Sequence, residues 1–264
     1  MKRYSVEVDG REVMVYEQRG QGSRTALFLP GVGGSAKVWA YQLRGLSRWG
    51  RMISIEVPGL CGEGELPETV GDLHQLAPFA CRVLDALGVA DAIWIGNSLG
   101  GRIALEAALQ TPERVCGLVL ICTSGVQLSE VQLPAWPVLT DAEKDVRMFY
   151  QPGRFVGLRT DQARAADRTA RRLYERLLAA TEEQNLLFRL QEISVAALVV
   201  WGKHDGVIPR EIGEAIAERI PQARLVVLER SAHVPQIEQP EQMLQALTDY
   251  FSERFGATDA VAKG

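Results

Sequence analysis

Cysteine is scarce in this chain: there are four among 264 residues, Cys61, Cys81, Cys116 and Cys122. No two stand at C-x-x-C spacing, which excludes a zinc ribbon and a thioredoxin-like redox motif. So few thiols fit a reducing compartment. Positive charge is not in excess, since 29 Lys and Arg face 33 Asp and Glu for a formal net charge of −4. A phosphate-seeking surface is therefore absent, and nucleic acid is not an expected partner. Long apolar runs are missing too. None approaches the roughly 18 residues of a membrane span, and the opening MKRYSVEVDGREVMVYEQ carries charges throughout with no apolar core of a signal peptide. The cytoplasm is the expected location, with no membrane partner. The sequence shows no internal repeat, no low-complexity tract and no cluster of His, Cys and carboxylates at ligand spacing. Neither a metal nor a cofactor is expected.

What remains is an ordinary globular composition, 47% hydrophobic and 23% charged. The length suits one large α/β domain. Two alternating segments, YSVEV and EVMVYEQ, meet at Asp9-Gly10, a strong hairpin signal. TALFLP reads as a short buried strand running into the glycine-rich loop PGVGGS, and residues 38–48 read as a helix. RMISIEV is the next strand, followed by a Gly/Pro-rich loop and an amphipathic helix over residues 73–87. Then AIWI, GNSLGG and RIALEAALQ read as strand, tight turn and helix, and VCGLVLIC as another buried strand. Residues 125–196 break this rhythm with helical patterns and no convincing strand. The alternation resumes with ALVVWG, EIGEAIAERI, ARLVVL and EQMLQALTDYF. Alternating strand and helix predict a mostly parallel sheet with helices on both faces. Residues 1–124 and 197–256 are the expected core, 125–196 a helical cap inserted after the sixth strand, and 257–264 a flexible tail.

The chemistry begins at Gly96-Asn97-Ser98-Leu99-Gly100, a G-x-S-x-G pattern lying between a strand and a helix. The bland reading is a helix N-cap serine after a glycine turn. The sharper one is a nucleophile on a strained turn, packed so closely that only very small residues fit two positions either side. A serine hydroxyl is a weak nucleophile until a base takes its proton. Of the three histidines, His74 falls in an amphipathic helix and His204 stands beside Asp205. His233 lies in the loop between the last strand and the last helix, at the end of a sheet where open α/β folds place their chemistry. Asp205 directly follows the strand ALVVWG, and no carboxylate follows the earlier strand VLICTSG. The order Ser98, Asp205, His233 matches a hydrolytic triad. In it the histidine acts as base and then acid, while the aspartate fixes its tautomer. Backbone N–H groups of Leu99 and Val32 are the expected oxyanion donors.

A rival reading competes for the same loop. Gly31-Val32-Gly33-Gly34-Ser35-Ala36 fits G-x-G-x-x-A after a strand, and Glu56 ends the next strand where a ribose-binding acid would stand. That would make the chain an NAD-binding oxidoreductase. It leaves Ser98, Asp205 and His233 unexplained, and a hairpin precedes the motif.

Taken together, LFLPGVGGSAKVW, IGNSLGGRIAL, TPERVCGLVLICTS, VVWGKHDGVIP and SAHVPQIEQPE resemble the α/β-hydrolase superfamily, in particular its small capped serine hydrolases. The resemblance runs from about residue 25 to about residue 250 and implies an α/β-hydrolase fold. It points first to a carboxylesterase acting on small carboxylic esters, with no cofactor. The alternative it carries is a carbon–carbon bond hydrolase of ring-cleavage products, whose serine is likewise preceded by Asn, as at Asn97. Three departures stand out. Pro30-Gly31 replaces the usual His-Gly, IEVPGLCGEG replaces the usual turn after the fourth strand, and Val234 stands where the carbon–carbon hydrolases carry Trp. A hydrolase-fold binding protein is a third class, which turnover of a simple ester would exclude. The apolar clusters of the cap make Trp136 and Phe149 candidate pocket residues. Arg164, Arg168, Arg171 and Arg172 share one helical face, read first as a solvated row and second as a carboxylate-binding group. The sequence gives no oligomeric state.

Overall fold

A computed structural model describes residues 1–256; the expected tail, 257–264, lies outside the described residues. Eight strands form one sheet in the order β1-β2-β4-β3-β5-β6-β7-β8. The strands are β1 (Lys2–Val8), β2 (Arg11–Arg19), β3 (Arg24–Leu29), β4 (Gly50–Glu56), β5 (Ala92–Asn97), β6 (Val115–Ile121), β7 (Ala197–Gly202) and β8 (Ala223–Leu228). The first two make the expected hairpin. Val8 pairs with Arg11 across Asp9 and Gly10, whose φ values of 53° and 72° are those a two-residue turn requires. β2 joins β4 antiparallel, and every pair from β4 to β8 is parallel. β5 and β7 are buried at every position and β6 at all but Cys116, as strands covered on both faces must be. β1 alternates exposed and half-buried residues along an edge.

Helices α1 (Ala40–Gly45), α2 (Leu76–Ala86), α3 (Leu99–Gln110), α4 (Asp141–Met148), α5 (Asp161–Ala180), α6 (Arg210–Arg219), α7 (Pro235–Glu238) and α8 (Pro240–Phe255) fill the connections. α1 packs with α8, α2 with α3, and α6 on β7 and β8, so both faces of the sheet are covered. The helix expected over residues 38–48 is instead a 3-10 turn, the short α1 and a second 3-10 turn, Ser47–Trp49. Gly50 at φ 140° turns the chain into β4. Between β6 and β7 the chain makes only helices and turns. No helix among the described residues is long and apolar enough to cross a membrane.

Candidate active site

Ser98 sits between β5 and α3 with φ 56° and ψ −115°, outside the regions open to ordinary L residues. Close backbone packing holds it there. A Cβ on Gly96 would stand 2.0 Å from the Gly100 carbonyl oxygen, and a Cβ on Gly100 would stand 2.1 Å from that of Leu29. The two glycines let strand, turn and helix close to backbone contact, and the surroundings over-determine the strained serine. Ser98 N donates to the Ile121 carbonyl at 2.9 Å, which ties the turn to the end of β6.

Ser98 lines a cavity of about 830 Å³ together with Val32, Leu99 and His233. His233 Nδ1 lies 2.9 Å from Asp205 Oδ2. An ionised carboxylate only accepts, so this contact selects the Nδ1–H tautomer and leaves Nε2 as the basic nitrogen. Asp205 is fixed in turn. Its Oδ1 accepts from Val207 N at 2.9 Å and Ile208 N at 3.0 Å. Trp201, buried at the end of β7, donates its indole N–H to the Ile208 carbonyl at 2.9 Å. Among the described residues the Ser98 hydroxyl makes no hydrogen bond; Asp205 and His233 are paired, and Ser98 shares a cavity with His233.

The loop after β3 is braced by a residue to which the sequence offered other roles. Glu56 Oε1 accepts from Ser35 Oγ at 2.6 Å and Ala36 N at 3.0 Å. Glu56 therefore caps the loop that a ribose-binding acid would leave free. Gly33 N donates to the Leu60 carbonyl at 2.7 Å. Neither Val32 N nor Leu99 N enters a turn, loop or cap hydrogen bond among the described residues. Leu99, as first residue of α3, also lacks an intrahelical acceptor.

The loops carrying Asp205 and His233 are clamped from outside the sheet. At the end of α4, the Arg147 carbonyl accepts from Gly206 N and the Met148 carbonyl from His233 N, both at 3.0 Å. Tyr150 N donates to Glu238 Oε1 at 2.6 Å, and Glu238 Oε2 accepts from Ala232 N at 2.7 Å and Ser231 Oγ at 3.1 Å. Burial raises the Glu238 carboxyl above its ordinary range, against the pull of these donors. Asn97 closes the other side, donating to the carbonyls of His233 at 3.0 Å and Ile121 at 3.2 Å and accepting from Gln236 Nε2 at 3.2 Å. Short sequence motifs cannot show such contacts, which join residues far apart in the chain.

Cys122 is a further neighbour that composition alone could not place. Its Sγ, an Asp205 oxygen and a His233 nitrogen lie within 4.8 Å of one another. Burial first, and then the negative charge of Asp205, push its thiol well above the ordinary value. It stays protonated and donates to the Ala232 carbonyl at 3.6 Å. His74 lies elsewhere, 2.9 Å from Glu106. His204 is exposed, with its ring centroid 4.7 Å from that of Tyr150.

Trp136 and Phe149 both line the cavity. The arginine row divides. Arg168 and Arg172 are exposed as a solvated face requires. Arg164 is bound to Asp145 at 2.6 Å, and Arg171 turns inward to line the cavity. Helical spacing put all four on one side; only the contacts each side chain makes separate them.

A family model described as the alpha/beta hydrolase family matches residues 26–246. A 2-hydroxy-6-oxononadienedioate/2-hydroxy-6-oxononatrienedioate hydrolase of Paraburkholderia phymatum is 30% identical, covering 96% of this chain and 96% of that protein. A pimeloyl-[acyl-carrier protein] methyl ester esterase of Edwardsiella ictaluri is also 30% identical, covering 89% of this chain and 96% of its own length. Among solved structures, a membrane phospholipase A described as a bacterial virulence factor superposes with a TM-score of 0.83 at 25% identity, covering 97% of this chain and 87% of that one.

Proposed function

The chain belongs to the alpha/beta hydrolase family, and from that premise we propose that it is a carboxylesterase working through an acyl-enzyme on Ser98. The observation that carries this reading is the 2.9 Å contact of Asp205 with His233, a histidine that lines the same cavity as Ser98. Substrate drives water out of the cavity and draws the serine hydroxyl to His233 Nε2, since catalytic hydrogen bonds in an empty site tighten on binding. Nε2 takes the hydroxyl proton as Oγ attacks the ester carbonyl carbon. The tetrahedral oxyanion meets the free N–H groups of Val32 and Leu99. The C–O bond then breaks, His233 gives its proton to the departing alcohol, and Ser98 holds the acyl group. Water, deprotonated by the same nitrogen, releases the carboxylic acid and restores the serine. Asp205 stays ionised throughout and stabilises the imidazolium.

Residues 125–196 act as a cap over this cavity, with Trp136 and Phe149 contributing to its apolar wall. The carbon–carbon alternative leans on Asn97 and on the relative from Paraburkholderia. Asn97 already spends its amide on Ile121, His233 and Gln236, which supports a positioning role rather than contact with substrate. The test is a serine-directed phosphonate combined with a substrate pair. Stoichiometric labelling at Ser98, absent in Ser98→Ala, is expected, with p-nitrophenyl butyrate turned over faster than a ring-cleavage dienoate. A kcat/KM favouring the dienoate by about 100-fold, roughly 2.7 kcal/mol in the transition state, overturns the esterase reading.

A further inference from the structure

Seven charged side chains of the cap form one alternating chain. Arg168 lies 3.8 Å from Asp141, which lies 3.7 Å from Arg164; Arg164 lies 2.6 Å from Asp145, which lies 2.9 Å from Arg159; and Arg159 lies 4.0 Å from Asp167, which lies 3.1 Å from Arg171. Four cations alternate with three anions, so one positive charge is left over. The outer end, Arg168, is half exposed and met by water. The inner end, Arg171, is one-fifth exposed and lines the cavity.

Arg171 is underused where it stands. Only its Nε reaches Asp167, a carboxylate already shared with Arg159, and its two terminal nitrogens make no hydrogen bond among the described residues. The guanidinium carbon lies 4.3 Å from the centroid of the Trp136 ring, which fixes the planar fork while leaving its donors free. Trp136 is nine-tenths buried, lines the same cavity, and its indole N–H has no partner among the described residues. Buried donors ordinarily have acceptors. Burial lowers the Arg171 guanidinium below its ordinary range, against the opposing pull of Asp167. Lys37 and Arg44 also line the cavity, and neither has a carboxylate partner among the described residues. Among the described residues Asp167 is the one acid in that wall.

We propose that Arg171 and Trp136 form a carboxylate subsite of the cavity, and that the substrate is a monoester of a dicarboxylic acid whose free carboxylate docks there. This rests on the esterase reading of Ser98 and names its substrate class. The terminal guanidinium nitrogens take the carboxylate bidentately, while the Trp136 ring holds the guanidinium plane in place. The cavity, about 830 Å³, lies in the upper part of the range for drug-sized ligands. It therefore has room for an acyl chain between the two ends.

The experiment compares kcat/KM for neutral p-nitrophenyl alkanoates with mono-p-nitrophenyl esters of the diacids from succinate to suberate. The wild-type chain is expected to favour the carboxylated ester by about 30-fold at its best length, the value of one charge-assisted pair. Arg171→Gln is expected to erase that ratio, chiefly through KM. Asp167→Asn, which removes the competing anion, is expected to raise it. Because the readout is a ratio, general damage to the cap cancels. A wild-type ratio near one at every length, or equal losses on both substrates in Arg171→Gln, overturns the proposal. Calorimetric titration with the free diacid separates the two readings. Ester turnover without diacid binding removes the subsite and leaves the esterase. Diacid binding that depends on Arg171, without turnover of any ester, removes the esterase and leaves the subsite.

Discussion

Asp205 divides its two oxygens between two tasks, and this division sets what substitutions there should do. Oδ1 is held by two backbone donors and Oδ2 faces His233. In Asp205→Asn the amide cannot serve both as acceptor for Val207 and Ile208 and as acceptor for Nδ1–H. The imidazole is then driven to the other tautomer, and esterase kcat should fall about 10⁴-fold with the fold intact; steady-state kinetics beside a circular dichroism melt checks this. His233→Ala should be nearly inactive, whereas His204→Ala should stay within about threefold of wild type, since surface changes rarely exceed ~0.5 kcal/mol. Equal losses in the two histidine variants contradict the assignment. Ser98, Asp205 and His233 were legible as candidates because each follows a strand and each residue type has a distinct chemical task. Arg171 and Glu56 were ambiguous for the opposite reason. Arginine on a helix and glutamate at a strand end have common solvated roles, and only tertiary packing shows which face is covered.

The same limit appears at the level of elements. Strands β5, β6 and β7 announced themselves as short apolar runs bounded by turn residues, because a strand covered on both faces needs apolar side chains nearly throughout. The brace at α4 had no such signature, since its contacts with Gly206 and His233 run through backbone carbonyls. Val146 lies within α4 and is 67% exposed. Val146→Pro should cost about 3 kcal/mol of helix stability and lower activity at least tenfold by freeing both loops, whereas Val146→Ala should do neither. In hydrogen exchange the amides of Gly206, His233 and Tyr150 should open as one unit in the wild type and lose protection together in Val146→Pro. Independent opening would show that α4 does not couple them. Gly100 makes a different demand. A methyl group there would meet the Leu29 carbonyl at 2.1 Å, so Gly100→Ala should lose about 3 kcal/mol or more, read from the urea midpoint.

Across the whole molecule, the edge of the sheet carries an acid-sensitive lock. Glu17 is buried in β2 and accepts from Arg51 Nε at 2.9 Å, with Tyr4 and Arg19 also donating to it. Burial alone would raise its carboxyl, but the Arg51 and Tyr4 hydrogen bonds outweigh burial and hold it below the usual carboxylate range. A depressed folded-state value stabilises the protein above the unfolded carboxyl range, near pH 4.3, and this stability disappears as pH falls through the folded value. Glu17→Gln should therefore cost about 3 kcal/mol at pH 7 and progressively less as the wild-type carboxyl protonates. Urea unfolding at pH 7 and near pH 3 checks this; a constant difference rejects it. The strand order has a consequence of another kind. From β5 to β8 neighbours in space are also neighbours in the chain, so a polypeptide leaving the ribosome can add these strands in the order of their synthesis. The turn of Ser98 is translated first, while Asp205 waits for β7 and His233 for β8. A nascent chain can thus display Ser98 long before it holds His233, and the esterase activity proposed above would arrive only after β8 and the loop behind it.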